Sequence, residues 1–90
     1  MFPADGVLYT PDFPDALFEA KAQLDSGFVI CRFLVEEGEL LTAGLPFVEF
    51  ETDKAVIEHV APCDAIVEQF LVGDGDAVGA NQPLAKVRKP

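Results

Sequence analysis

One lysine stands out as a group that could do chemistry. Lys54 lies in Glu51-Thr52-Asp53-Lys54-Ala55, between the apolar runs Phe47-Val48-Glu49-Phe50 and Val56-Ile57-Glu58-His59-Val60. Short apolar runs on either side of a polar tetrad predict a β-hairpin with Thr52, Asp53 and Lys54 at its tip. A primary amine held out in water on two paired strands is a good acceptor for an acyl group. It is a poor catalytic base, because nothing there desolvates it and draws its pKa down from about 10.4. The other reactive side chains carry less. His59 is the one histidine, with no Ser or Cys set beside it by a motif, and reads as a strand residue at the surface or under the hairpin. Cys31 and Cys63 fit no metal-ligand spacing and read as free thiols packed like small apolar residues. Asp74-Gly75-Asp76 lacks the ligand series of a calcium loop and reads as a solvated acidic turn. Without an acid–base or nucleophile constellation, the chain is not expected to be an enzyme in its own right.

The elements that position Lys54 come from a repeat. Val35-Glu36-Glu37-Gly38-Glu39-Leu40-Leu41 matches Val72-Gly73-Asp74-Gly75-Asp76-Ala77-Val78 at an offset of 37 residues. The same offset pairs Val29 with Ile66, Phe33 with Phe70, Pro46-Phe47 with Pro83-Leu84, and Phe50 with Val87. Two such halves predict an all-β, flattened barrel-sandwich with pseudo-twofold symmetry, each half giving about four short antiparallel strands. The Lys54 tip then falls near mid-chain, and Val7–Thr10 is expected to pair with Leu84–Arg88 at the opposite pole. Gly38 and Gly75 are expected at φ > 0 in tight turns, with Glu39 and Asp76 accepting backbone N–H groups behind them. Phe28 to Val35 reads as a strand buried on much of both faces, interrupted by Arg32. Phe47 and Phe50 sit three apart, as do Leu84 and Val87, so each half needs either a bulge or burial on both faces. Near the N-terminus, Asp15 to Asp25 has Ala16, Leu17, Ala20 and Leu24 at helical spacing, which fits three turns of helix or an ordered loop.

Glu51-Thr52-Asp53-Lys54-Ala55, with Glu58 four residues after the lysine and Ala61-Pro62 beyond, resembles the attachment hairpin of lipoyl domains, the carrier domains of 2-oxo acid dehydrogenase acyltransferases. The Val-x-x-Gly-Asp-x-Val element in each half is similar to theirs as well. The resemblance is strongest over 28–87 of a single domain spanning 1–90, with 11–27 an atypical insertion. It implies lipoic acid in amide linkage on Lys54, with Glu51, Thr52, Asp53, Ala55 and Glu58 as recognition features. It also implies partners. These are a lipoate–protein ligase, or an octanoyltransferase with lipoyl synthase, and then a thiamine-diphosphate decarboxylase, an acyltransferase and a dihydrolipoyl dehydrogenase. The domain would act as a swinging arm, carrying acyl groups and electrons among their active sites. Where the family has Gly in its Pro-x-x-Gly turn, this chain has Pro62-Cys63-Asp64-Ala65. If that position needs φ > 0, Ala costs about 1 kcal/mol relative to Gly, unless Asp64 takes over the turn conformation. Weaker recognition by the lipoylating enzyme would follow.

Two alternatives belong to other classes. A biotin carrier of a carboxylase predicts methionines flanking the lysine, where this chain has Asp53 and Ala55. An unmodified structural or adaptor module on the same scaffold predicts no acylation at all. Composition narrows the partners. Ninety residues, half of them apolar and eight of them Phe, are enough for one small domain with a single core. A net charge of −10 argues against binding nucleic acid or anionic membrane surfaces. No apolar run approaches a membrane span, and no secretory signal is legible. The expected location is the bacterial cytoplasm, or the mitochondrial matrix for a domain excised from a eukaryotic protein.

Overall fold

A computed structural model describes residues 2–11, 29–52 and 55–90. The helix or loop expected over Asp15–Asp25, Phe28, and both Asp53 and Lys54 lie outside the described residues. The described chain forms eight strands: β1 (Val7–Tyr9), β2 (Val29–Phe33), β3 (Leu40–Leu41), β4 (Pro46–Glu51), β5 (Val56–Val60), β6 (Ala65–Phe70), β7 (Ala77–Val78) and β8 (Pro83–Arg88). They pair into two antiparallel four-stranded sheets, in the orders β1-β8-β6-β3 and β5-β4-β2-β7. The first order becomes the second when β1, β8, β6 and β3 are exchanged for β5, β4, β2 and β7. The repeat in the sequence is therefore a twofold in space. As expected, β1 pairs with β8, so the two ends of the chain share one pole.

The hydrogen bonds obey the same symmetry. Gly38 N–H donates to the Val67 carbonyl at 2.7 Å, and Gly75 N–H to the Cys31 carbonyl at 2.8 Å. Glu37 accepts the Phe70 N–H at 2.9 Å, and Asp74 accepts the Phe33 N–H at 2.7 Å. Gly38 and Gly75 take φ of 90° and 87°, a region closed to most side chains. Behind them, Glu39 and Asp76 accept the Glu36 and Gly73 N–H groups, the turn-closing role expected of them. Phe33 and Phe70 stack on one another with ring centroids 3.9 Å apart.

A bulge in each half resolves the three-residue spacing. Pairing with β5 runs Pro46↔Val60 then Val48↔His59, so Phe47 is the extra residue. Leu84 is skipped in the same way between Tyr9↔Pro83 and Leu8↔Ala85. The bulge turns two successive side chains inward, burying Phe47 with Val48 and Leu84 with Ala85. The inward faces of both sheets, with Cys31, Phe50, Val67 and Val78 among them, close one core.

Three expectations need correction. Ile30 rather than Val29 corresponds to Ile66: Ile30 sits opposite Ala77 as Ile66 sits opposite Leu40. The register shift between Val67 and Gln69 in β6 changes the offset from 36 before it to 37 after it. The described part of the apolar run Phe28–Val35 is not one strand buried on both faces. Strand β2 ends at Phe33, alternates inward with Val29 and Cys31, and leaves Leu34 44% exposed. Finally, neither Asp64 nor Ala65 has positive φ. Among the described residues, Asn81 (φ 55°) is the non-glycine that does, at the position equivalent to Gly44 (φ 89°). Ala65 is fully buried at the start of β6, and the Asp64 carboxylate accepts the Ala43 N–H at 2.9 Å. The alanine carries no left-handed strain.

His59 lies under the hairpin, half-buried, with its ring 5.6 Å from Phe47 and 5.8 Å from Phe50 between centroids. Burial among these rings disfavours the imidazolium and holds its pKa below 6.5.

Two predictions follow from this packing. Ala65→Gly will lower stability by about 0.5–1 kcal/mol, because glycine inside a strand adds unfolded-state freedom and removes a packed methyl. Urea unfolding reads the sign, and a stabilised variant would mean that the position is strained. For His59, the folded pKa lies below the unfolded one, so the unfolded chain takes up the proton first. Its contribution is complete above about pH 6.5 and declines as pH falls toward the folded pKa. The stability difference between wild type and His59→Gln will therefore shift against wild type between pH 7.5 and 5. A difference independent of pH would contradict this.

Candidate functional site

The hairpin of β4 and β5 follows from its residue types. Aromatic and β-branched side chains, Phe47, Val48 and Phe50 against Val56, Ile57 and Val60, suit a pleated, half-buried pair. The ladder runs through Phe50↔Ile57 to Glu51↔Val56. Beyond it, Thr52 N–H donates to the Ala55 carbonyl at 2.8 Å, and Ala55 N–H donates to Thr52 Oγ1 at 3.1 Å. Asp53 and Lys54 are the two residues that join this bonded pair. Ala55 is half-buried and packs on the core cluster with Ile57, which anchors the outgoing side of the link.

Of the candidate residues, Glu51, Thr52 and Ala55 are brought together at the end of the ladder. Glu58 lies further down, exposed on the outer face directly across from Glu49. Glu49 in turn faces Arg32 on β2. The Arg32 guanidinium approaches Glu51 at 3.9 Å, with both side chains about half exposed. An ion pair so open to water contributes little to stability. Its effect is to moderate an otherwise acidic sheet face made by Glu49, Glu51 and Glu58. Like charges directly opposite one another across a strand pair are destabilising, so stability does not explain Glu49 against Glu58. Sequence reading overlooked Arg32, because strand register places it beside Glu51 and register is not written in the local pattern. It also missed Thr52 as a hydrogen-bonding clasp, although a hydroxyl residue at a turn is the usual local signal for one.

On the pseudo-equivalent face, charge is reversed. The twofold places Lys86 where Glu49 stands and Arg88 where Glu51 stands, both exposed on β8. Among the described residues, the outer face of β4 carries Glu49 and Glu51, and that of β8 carries Lys86 and Arg88.

The remaining reactive groups have structural work. Cys31 and Cys63 are free and buried. The Cys31 thiol donates to the Gly73 carbonyl at 3.3 Å, and burial, with Asp76 and Asp74 nearby, pushes its pKa up. Asp74 and Asp76 spend carboxylate oxygens on backbone N–H groups. A cleft of about 580 Å³ between the two turns is lined by Val35, Glu37, Phe70 and Val72, and none of the described hairpin residues lines it.

Comparison with known proteins bears on this arrangement. The family model described as "Biotin-requiring enzyme", which covers biotin and lipoyl attachment, matches residues 22–87. The chain is 29% identical over 80 residues to the dihydrolipoyllysine-residue succinyltransferase component of the 2-oxoglutarate dehydrogenase complex of Buchnera aphidicola subsp. Schizaphis graminum, covering 89% of this chain and 18% of that protein. It is 27% identical over 79 residues to the same component from Pseudomonas aeruginosa, covering 88% and 17%. The chain thus spans under a fifth of the length of these curated relatives. Among solved structures, the lipoyl domain of the 2-oxoglutarate dehydrogenase complex from Azotobacter vinelandii superposes with a TM-score of 0.64 at 23% identity, covering 92% of this chain and 95% of that one. A single-chain, multi-domain long-chain acyl-CoA carboxylase superposes with a TM-score of 0.70 at 20% identity, covering all of this chain and 8% of that one. Two symmetric four-stranded sheets, a closed mid-chain hairpin and a family match over most of the sequence agree: the chain belongs to the biotinyl/lipoyl carrier family.

Proposed function

We propose that this domain carries lipoic acid on Lys54. The observation that carries the reading is the closure of the hairpin. Paired strands run to Glu51 and Val56, Thr52 and Ala55 bond across the end, and the two-residue link between them contains the lysine. In the attachment step, the Lys54 amine attacks the carbonyl carbon of an activated lipoyl–adenylate. The C–N bond forms as the C–O bond to the adenylate breaks, AMP leaves, and the amine gives up a proton to solvent. Bound there, lipoate supplies a disulfide that accepts an acyl group with two electrons and yields them at other active sites. The chain's own residues catalyse none of this. They display the amine, recognise enzymes and keep the arm at high effective concentration near its partners.

Glu51, Asp53 and Glu58 are the acidic groups that we assign to recognition, with Thr52 and Ala55 shaping the tip. The succinyltransferase relatives support a 2-oxo acid dehydrogenase setting. For that setting we propose a ligase, a thiamine-diphosphate decarboxylase, an acyltransferase and a dihydrolipoyl dehydrogenase as partners, and the bacterial cytoplasm as the location. The acidic hairpin face suits basic approaches to such active sites, an attraction that salt screens. Biotin on the same lysine is the second reading, favoured by the family's scope and by the carboxylase likeness.

Intact mass decides between them. Co-production with a lipoate ligase and lipoate will add one lipoyl group, and Lys54→Ala will abolish it. On the hairpin-tip reading, the variant is expected to unfold within about 0.5 kcal/mol of wild type. A biotinyl increment with biotin ligase and none with lipoate would transfer the assignment to biotin. An increment that persists in Lys54→Ala would exclude this lysine.

A further inference from the structure

A hairpin that displays a reactive amine must fix the two backbone ends on which that side chain rides. The link Asp53-Lys54 contains no glycine, the residue favoured by the primed turns of two-residue hairpin loops. Closure here is shared between backbone and side chain. Thr52 N–H donates to the Ala55 carbonyl at 2.8 Å, while the Thr52 hydroxyl oxygen accepts the Ala55 N–H at 3.1 Å. The same hydroxyl lies 3.4 Å from the Ala55 carbonyl oxygen, within donating reach. One side chain thus engages both polar backbone groups of the residue after Lys54. Ala55 packs on the core, so the clasp joins Thr52 to a residue that the core holds. Among the described residues, the symmetry-related pole shows no such clasp. There the position equivalent to Thr52 is the exposed Lys89. The clasp belongs to the pole that bears the lysine, apart from the repeated scaffold.

We propose that Thr52 is a positioning residue for acylation of Lys54, its hydroxyl holding the chain that enters and leaves the Asp53-Lys54 dipeptide. This rests on the carrier reading above. Without the clasp, the modifying enzyme must order the link itself, and that cost appears in its specificity constant. Thr52→Val removes the hydroxyl and keeps the β-branched shape, whereas Thr52→Ser restores the hydroxyl.

The test gives wild type, Thr52→Val and Thr52→Ser to lipoate ligase with ATP and lipoate, and measures kcat and KM for the domain. Thr52→Val is expected to lose about tenfold in kcat/KM, the scale of one net hydrogen bond, and Thr52→Ser to stay within about twofold of wild type. Exchange of the Ala55 amide proton should quicken in Thr52→Val, while those of Phe50 and Ile57 hold. Equal kcat/KM for Thr52→Val and wild type would overturn the positioning role and leave the carrier role standing. A serine variant that recovers amide protection without recovering the rate would do the same. If biotin alone is taken up, the same ratios measured with biotin ligase decide. Wild type that accepts neither group would overturn the carrier reading, and this proposal with it.

Discussion

The structure depends on a reciprocal embrace, in which each half's acidic turn holds the other half's strand. Gly38 and Glu39 clasp Val67, while Gly75 and Asp76 clasp Cys31 through the matching backbone groups. Glu37 and Asp74 reach across to the Phe70 and Phe33 amides, and those two phenylalanines stack. Every bond in this set joins residues far apart in sequence. Neither half can satisfy its buried backbone alone, and an unpaired buried N–H costs about as much as a lost hydrogen bond. The hairpin stands on this arrangement, because β4 is held in register by β2, the strand that the second half's turn pins.

Much of this was legible beforehand because symmetry was written as a repeat. A pair such as Gly38 and Gly75 announces its φ through residue type, and the acid after each glycine announces the turn's closure. Pro46 and Pro83 mark where strands resume, and β4 and β8 do begin there. The hairpin strands were legible for a different reason, since two short apolar runs on either side of a polar tetrad favour a pair of strands, and β4 and β5 are that pair. Failures arose where one residue more or less changes the pairing. The register shift beside Glu68 moved Val29's counterpart from Ile66 to Ala65, and no local preference distinguishes those choices. The expected penalty at Ala65 failed because family composition was taken for a backbone requirement. Here the cap is the Asp64 carboxylate, and the following residue opens a strand.

Around the candidate site, the paired strands were readable and their neighbours were not. Residue types pointed to an amine presented for modification, and the strand ladder that ends at Glu51 and Val56 fits that presentation. The surroundings were hidden because they come from other strands: Arg32 reaches Glu51 only through the β2–β4 register. His59 shows the converse. Its place on the alternating ladder turns it beneath the hairpin, where aromatic neighbours make protonation costly.

The inversion of charge between β4 and β8 has a consequence for how such a molecule is read from outside. A backbone with a twofold axis offers any surface that senses only its outline two indistinguishable ways to dock, one bit of ambiguity that shape cannot remove. Glu49 and Glu51 on one strand, against Lys86 and Arg88 on the other, supply that bit as a signed potential perceptible before contact. Symmetry gives the domain a cheap, mutually braced scaffold, and the broken symmetry of its charges gives it a front.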